Sequence, residues 1–142
     1  MTSCWERTFQ RVRSDDEIPQ EECWRLLATA HIGRVALSMK ALPRILPVQY
    51  YLNDGLIFAC LGSYRVPERS AHGAVLAFSA DDIDPMLRRG WSVQAVGPAT
   101  FAYHESTGVP ADCGEPTGGQ VVCIEPKALS GYRLNLCPFM TW

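Results

Sequence analysis

Hydrophobic and polar positions along the chain fall into one helical stretch followed by a succession of short alternating ones. From Pro19 the period is helical: Cys23, Leu26, Leu27 and Ala30 recur at i, i+3, i+4 and i+7, one stripe of an amphipathic helix. Pro19 suits a first-turn position, and Glu21 and Glu22 lie at the positive end of the helix dipole. One helix is therefore predicted, ending near His31 and Gly33. Beyond it the period drops to two. Residues 34–39 alternate around Val35 and Leu37, residues 44–52 are rich in β-formers, Asn53-Asp54-Gly55 is a hairpin turn, and residues 56–60 are a short apolar strand. Further strands are predicted over 74–80, over 91–103 with an interruption at Gly97-Pro98, and over 120–124 and 131–134. Strands at this spacing, without long helices between them, argue against a parallel βαβ sheet. They predict a mainly β fold, a six- to seven-stranded antiparallel barrel with one or two short α-helices.

Two segments stand outside this pattern. Residues 1–17 are polar and charged, with Ser14, Asp15, Asp16 and Glu17 at their end, and read as a loosely held arm. Residues 104–119 contain Gly108, Pro110, Gly114, Pro116, Gly118 and Gly119, a long loop of the kind that serves as a lid or stays disordered. The expected organisation is an arm over 1–17 and a single domain over 18–142.

Composition narrows the functional classes. At 142 residues there is room for one domain. Thirteen Lys plus Arg against 15 Asp plus Glu give a net charge of −2, which supplies no electrostatic footprint for nucleic acid or an anionic membrane. The start of the chain has no apolar run fit for a signal peptide, and no stretch approaches a transmembrane length, so a cytoplasmic location is expected. Six cysteines, at 4, 23, 60, 113, 123 and 137, form no C-x-x-C pair. They read mostly as buried or inert thiols, with Cys113 and Cys123 left as one conceivable pair.

Several chemistries are unsupported. Neither Lys40 nor Lys127 follows a glycine, so no Walker A phosphate loop exists, and no G-x-G-x-x-G opens a helix. His104-Glu105 begins like a zinc-protease motif but lacks the second histidine four residues on, so no metal site is expected. His31, His72 and His104 are far apart in sequence, and no catalytic acid, base or nucleophile is identified. Asp81, Asp82 and Asp84 read as a solvated turn before Pro85 in preference to a cation site, and Trp91 reads as core or interface.

The informative stretch runs from Pro43 to Arg65. It is a hairpin whose second strand enters a Gly62-Ser63 turn followed by Tyr64 and Arg65. A turn hydroxyl beside a guanidinium suits a phosphate monoester, whose oxygens take short O–H donors and a charge-assisted fork. Pro47 withholds one ladder donor, which marks an edge, a bulge or the approach of a ligand to the backbone.

On these residues the chain resembles the pyridoxamine 5'-phosphate oxidase-like, FMN-binding split-barrel superfamily, in particular its small bacterial members. The resemblance rests on Arg44-Ile45-Leu46-Pro47, on Leu61-Gly62-Ser63, and on Trp91-Ser92-Val93-Gln94-Ala95-Val96-Gly97. The helix with Leu26-Leu27 before Gly33-Arg34-Val35-Ala36, and the run 78–84, match as well, so the likeness covers roughly residues 18–134. It implies a split form of the barrel, with Arg44, Ile45, Leu46 and Pro47 flanking the flavin ring and ribityl chain, and Phe58 and Ala59 on the adjoining strand. It places Ser63, Tyr64 and Arg65 at the phosphate, and Ser92 beside the ring. Two positions depart from the oxidases: Tyr64 replaces a basic residue, and Arg65 replaces a lysine. The oxidases' C-terminal substrate segment has no counterpart in residues 134–142.

The resemblance implies a homodimer with the cofactor between subunits. The expected activity is that of an FMN-dependent oxidoreductase passing hydride or electrons between a nicotinamide cofactor and a small-molecule acceptor. The alternative is a binding or carrier protein without turnover, holding a flavin, a deazaflavin or haem.

Overall fold

The computed structural model describes residues 16–62, 64–102 and 119–135. Ser63 and nearly all of the expected arm and long loop lie outside these residues. Two helices and seven strands follow in order: α1 (Gln20–Thr29), β1 (Ile32–Met39), β2 (Leu42–Asn53), β3 (Leu56–Gly62), α2 (Glu68–Ala71), β4 (Val75–Asp84), β5 (Arg89–Ala102), β6 (Gln120–Ile124) and β7 (Ala128–Asn135). All strand pairs are antiparallel. The sheet runs β4-β1-β2-β3-β6-β5-β7, and a further β4–β5 pairing closes six strands into a barrel with β7 added outside the ring. The mainly β barrel expected from strand spacing is the fold observed.

Helix α1 forms where the 3.6 period begins, with Pro19 at its N-cap and Cys23, Leu26 and Leu27 buried. It stops at Thr29 because β1 begins three residues later. Tyr50 ties it to the barrel: its hydroxyl donates to the Leu27 carbonyl at 2.5 Å, satisfying one of the carbonyls a helix leaves unpartnered at its C-terminus. Burial pushes that hydroxyl up to about 12. The Tyr50 ring meets Phe78 edge-on, with centroids 4.8 Å apart. Around this pair Val35, Leu37, Val48, Ile57, Leu76, Val93, Val122 and Ile124 fill the barrel.

Strand β5 carries the closure. Residues 89–98 pair with β4 along its whole length, residues 89–96 pair with β7 on the other side, and residues 99–102 pair with β6. The neighbour changes at Gly97-Pro98, where an interruption was expected and the strand instead continues. A Cβ on Gly97 would lie on the carbonyl oxygen of Glu125, so only glycine lets the β6–β7 connection cross β5 here. That connection is pinned by Glu125 N–H to the Pro98 carbonyl (3.0 Å) and Lys127 N–H to the Val96 carbonyl (2.9 Å).

Strand β4 runs further than its apolar residues. Asp81 and Asp82 pair with Ser92 and Trp91, so they are strand residues and not the turn the sequence suggested. The turn lies at 85–88, where Asp84 Oδ1 accepts the N–H groups of Met86 and Leu87. Pairing with β5 outweighs the low strand propensity of aspartate. Trp91 is buried in the core.

Cys123 carries a free thiol, so no bond joins it to Cys113, and Cys60 is disulfide-bonded where a thiol was expected. Sequence spacing carries no information on either geometry. Burial pushes the Cys23 and Cys123 thiols up, which lowers their reactivity. No helix among the described residues is long and apolar enough to cross a membrane.

Candidate functional site

The barrel opens at β2. This strand is twelve residues long, yet only its second half, from Gln49 on, pairs with β3, while its first half pairs with β1 alone. The reason is legible in backbone chemistry. In an antiparallel pair, directly opposed residues either exchange both N–H···O bonds or neither, in alternation. Tyr50 N–H donates to His31, the residue opposite it by the β1 register, so even-numbered residues of β2 face β1. Odd-numbered residues face β3. Pro47 is odd, and having no N–H it has no donor to offer β3.

The partner strand turns away at the matching level. Opposite β6, one extra residue is inserted between Cys60 and Gly62, a β-bulge. Gly62 has φ +58, the left-handed region that favours glycine, and a Cβ there would meet nothing within 4 Å. Tyr64 N–H then donates to the Leu61 carbonyl at 3.0 Å. The emerging segment is held by its backbone: Gln120 accepts from Val66 N–H (3.0 Å) and donates to the Val66 carbonyl (3.1 Å).

Exposed here are Arg44, Ile45 and Pro47 on the unpaired half of β2, and Tyr64 and Arg65 in the segment that leaves β3. Neither Arg44 nor Arg65 makes an ion pair among the described residues, so both guanidiniums are available to an anionic ligand. Two residues of the expected set turn inward: Leu46 and Ala59 are buried in the barrel core. Phe58 lies on the opposite face of β3, in a second apolar cluster with Cys60 and Val121 that Tyr51, Leu56, Ala102 and Cys123 flank. Ser92 sits apart. It opposes Asp81 of β4 and Tyr132 of β7, with β4 and β1 standing between it and β2.

His72, which its sequence context suggests as a capping or surface histidine, is exposed and forms the C-cap of α2. Its Nδ1 accepts the Phe101 N–H at 3.4 Å and its ring stacks on Phe101, with centroids 6.3 Å apart. It borders a shallow, open surface depression that Pro67, Glu68 and Arg69 also line. The bond to Phe101 of β5 is added by the fold, since His72 precedes the start of β4 at Val75. Among the described residues no group of three or more His, Cys, Asp or Glu side chains is placed to hold a metal ion.

Known proteins give this geometry a context. An uncharacterised protein of Mycobacterium tuberculosis, Rv0080, is 32% identical to this chain over 142 residues, covering 88% of this chain and 89% of its own. Among solved structures, an FAD-binding protein of Mycobacterium smegmatis superposes with a TM-score of 0.68 at 21% identity, over 85% of this chain and 99% of that one. An FAD- and haem-binding protein of the same organism reaches 0.61 at 14% identity, over 87% of this chain and 75% of that one. At such identities the two likenesses show the shared fold. Residues 19–133 match the pyridoxamine 5'-phosphate oxidase family, nearly the whole of the barrel described above, and the chain belongs to that family.

Proposed function

We propose that this protein binds FMN at the split in its barrel and works as a homodimeric flavin-dependent oxidoreductase, moving hydride or electrons between a nicotinamide cofactor and a small-molecule acceptor. The observation that supports the reading is the half of β2 left unpaired by β3, with a left-handed Gly62 at the end of β3 and an exposed Arg65 beyond it, in a chain of this family. The residues fit the group. Arg65 offers a charge-assisted fork to a phosphate, Tyr64 adds a hydroxyl donor, and Ser63 follows the glycine that makes the turn. Arg44 brings a second positive charge to the strand edge.

A bound flavin supplies hydride acceptance and release at its own ring, so the chain's task is to bind, orient and exclude water. Arg65 and Tyr64 fix the phosphate end. Ile45 and Pro47 present an apolar outer surface to the ring. A second copy would cover the outer face of β1 and β2, where Ile32 (63% exposed) and Ile45 (69%) stand in solvent.

Titration of the purified native protein with FMN tests the reading directly, with absorbance and flavin fluorescence as readouts. Failure to carry or bind FMN overturns it. Arg65→Ala should weaken FMN binding by about 1.5 to 3 kcal/mol while leaving riboflavin binding nearly unchanged, because riboflavin lacks the phosphate. Rapid reduction by NADH or NADPH, then reoxidation by an added acceptor, distinguishes turnover from carriage. The carrier reading is favoured by Tyr64 standing where the oxidases carry a cation. The relatives that bind FAD or haem make both of those groups controls in the titration.

A further inference from the structure

Phe58, Cys60 and Val121 are buried although they lie outside the barrel. On β3 the residues alternating with them, Ile57, Ala59 and Leu61, belong to the core, as do Val122 and Ile124 of β6, so these three side chains point outward. An outward side chain of a barrel meets solvent unless something lies over it, yet Phe58, Cys60 and Val121 are only 2%, 7% and 2% exposed. Their described apolar neighbours, Tyr51, Leu56, Ala102 and Cys123, lie beside them in the sheet and not over it. Helix α1 packs mainly on β7, and α2 on β1 and β5. The cover therefore comes from chain outside the described residues. Cys60, in the middle of the patch, is disulfide-bonded. Of the six cysteines, Cys23 and Cys123 carry free thiols, which leaves Cys4, Cys113 and Cys137 as partners for Cys60.

We infer that the outer face of β3 and β6 is the docking site of the chain's own N-terminal arm, residues 1–15, fastened there by a disulfide between Cys4 and Cys60. Reach and chemistry select the arm. Cys137 lies two residues past Asn135, which opposes Arg89, whereas Cys60 lies across β6 from Ala102, at the other end of β5. Two residues span about 7 Å, and the strand from 89 to 102 runs about 43 Å. Cys113 is within reach, but residues 104–119 offer Val109 as their one large apolar side chain among Gly108, Pro110, Gly114, Pro116, Gly118 and Gly119. The arm offers Trp5, Phe9 and Val12 behind Cys4. It starts from β7, where Ile18 N–H donates to the Gly131 carbonyl at 2.8 Å, and the twelve residues from Asp16 back to Cys4 reach about 40 Å when extended. A dithiol reductant, leaving as its own disulfide, turns Cys4 and Cys60 into two thiols, and the arm is then held by apolar contact alone. The inference is independent of the flavin reading.

Three measurements decide it. Full-length protein is oxidised with glutathione disulfide, denatured, alkylated, digested without reductant and analysed by mass spectrometry. The peptides of Cys4 and Cys60 should be joined, with Cys23 and Cys123 alkylated. Cys60 joined to Cys113 or Cys137, or alkylated itself, overturns the fastening. Dithiothreitol should lower the Tm of the oxidised wild type by about 10 °C, because the bond closes a long loop in the unfolded chain. Cys4→Ser should show the lower Tm with or without reductant, and a Tm that still responds to reductant in that variant overturns the pairing. Docking is read separately on the Trp5→Asp/Phe9→Asp double variant. It should bind an apolar fluorescent dye several-fold more than wild type, because the Phe58 patch is laid open, while the circular dichroism of the sheet stays that of wild type. Equal dye binding overturns the docking.

Discussion

The β4–β5 wall and the β2–β3 split are built from strands of similar length, yet they treat their backbones in opposite ways. β5 is paired on both flanks, to β4 and β7 along residues 89–96 and to β6 beyond the crossing at Gly97. Polar side chains such as Asp81 and Asp82 are drawn into this ladder against their local preference. At the split, β2 keeps seven residues, 42–48, with one neighbour only, and two prolines make that half-ladder permanent. The first region spends its peptide groups on the fold, and the second reserves them for something else. Stability should therefore concentrate in the wall and its core, and ligand chemistry at the split.

Substitutions on the two sides should separate accordingly. Phe78→Ala, in the core beneath the wall, should lower unfolding free energy by about 3 to 5 kcal/mol, read by chemical denaturation, since it removes a fully buried ring and its contact with Tyr50. A loss under about 1 kcal/mol would break the contrast. Arg44→Pro, on the ladder side of β2, should cost about 1 to 3 kcal/mol by removing a bond to β1.

Tyr50→Phe should cost about 1 kcal/mol through the lost bond to Leu27. The same residue gives a pH test. Its folded pKa is raised to about 12 from 10, so the stabilisation it contributes is full below pH 10 and lost as pH rises through 12. Denaturation midpoints should fall over that interval more in the parent than in Tyr50→Phe. Smallest of all, Ile45→Pro should change stability by about 0.5 kcal/mol or less, because its N–H points to the open edge. A loss matching that of Arg44→Pro would show that the edge is not open.

Much of α1, of β1 and of the β2–β3 turn could be read from sequence, because each signal there was local. Val35 and Leu37 alternate on β1, Cys23, Leu26 and Leu27 share a helical face, and Asn53-Asp54-Gly55 turns where expected. Misreadings arose where a neighbour overrides local preference. Asp81 and Asp82 are strand only because β5 lies opposite, and Gly97-Pro98 looked like a break because the crossing connection is remote in sequence. At the split, motif likeness pointed to Arg44 to Pro47 and Gly62 to Arg65 as candidates but could not assign faces. Leu46 and Ala59 face the core, and Ser92 is strands away.

Gln120 holds the segment after β3 solely through the peptide groups of Val66, reading no side chain between Tyr64 and Pro67. Such a tether is indifferent to what Tyr64 and Arg65 happen to be. Mutation can therefore exchange charge, size or hydrogen-bonding character at these two positions without disturbing the scaffold. Under the proposed function, the barrel can persist while its phosphate contacts change, with the Tyr64-Arg65 pair as one setting of an adjustable part.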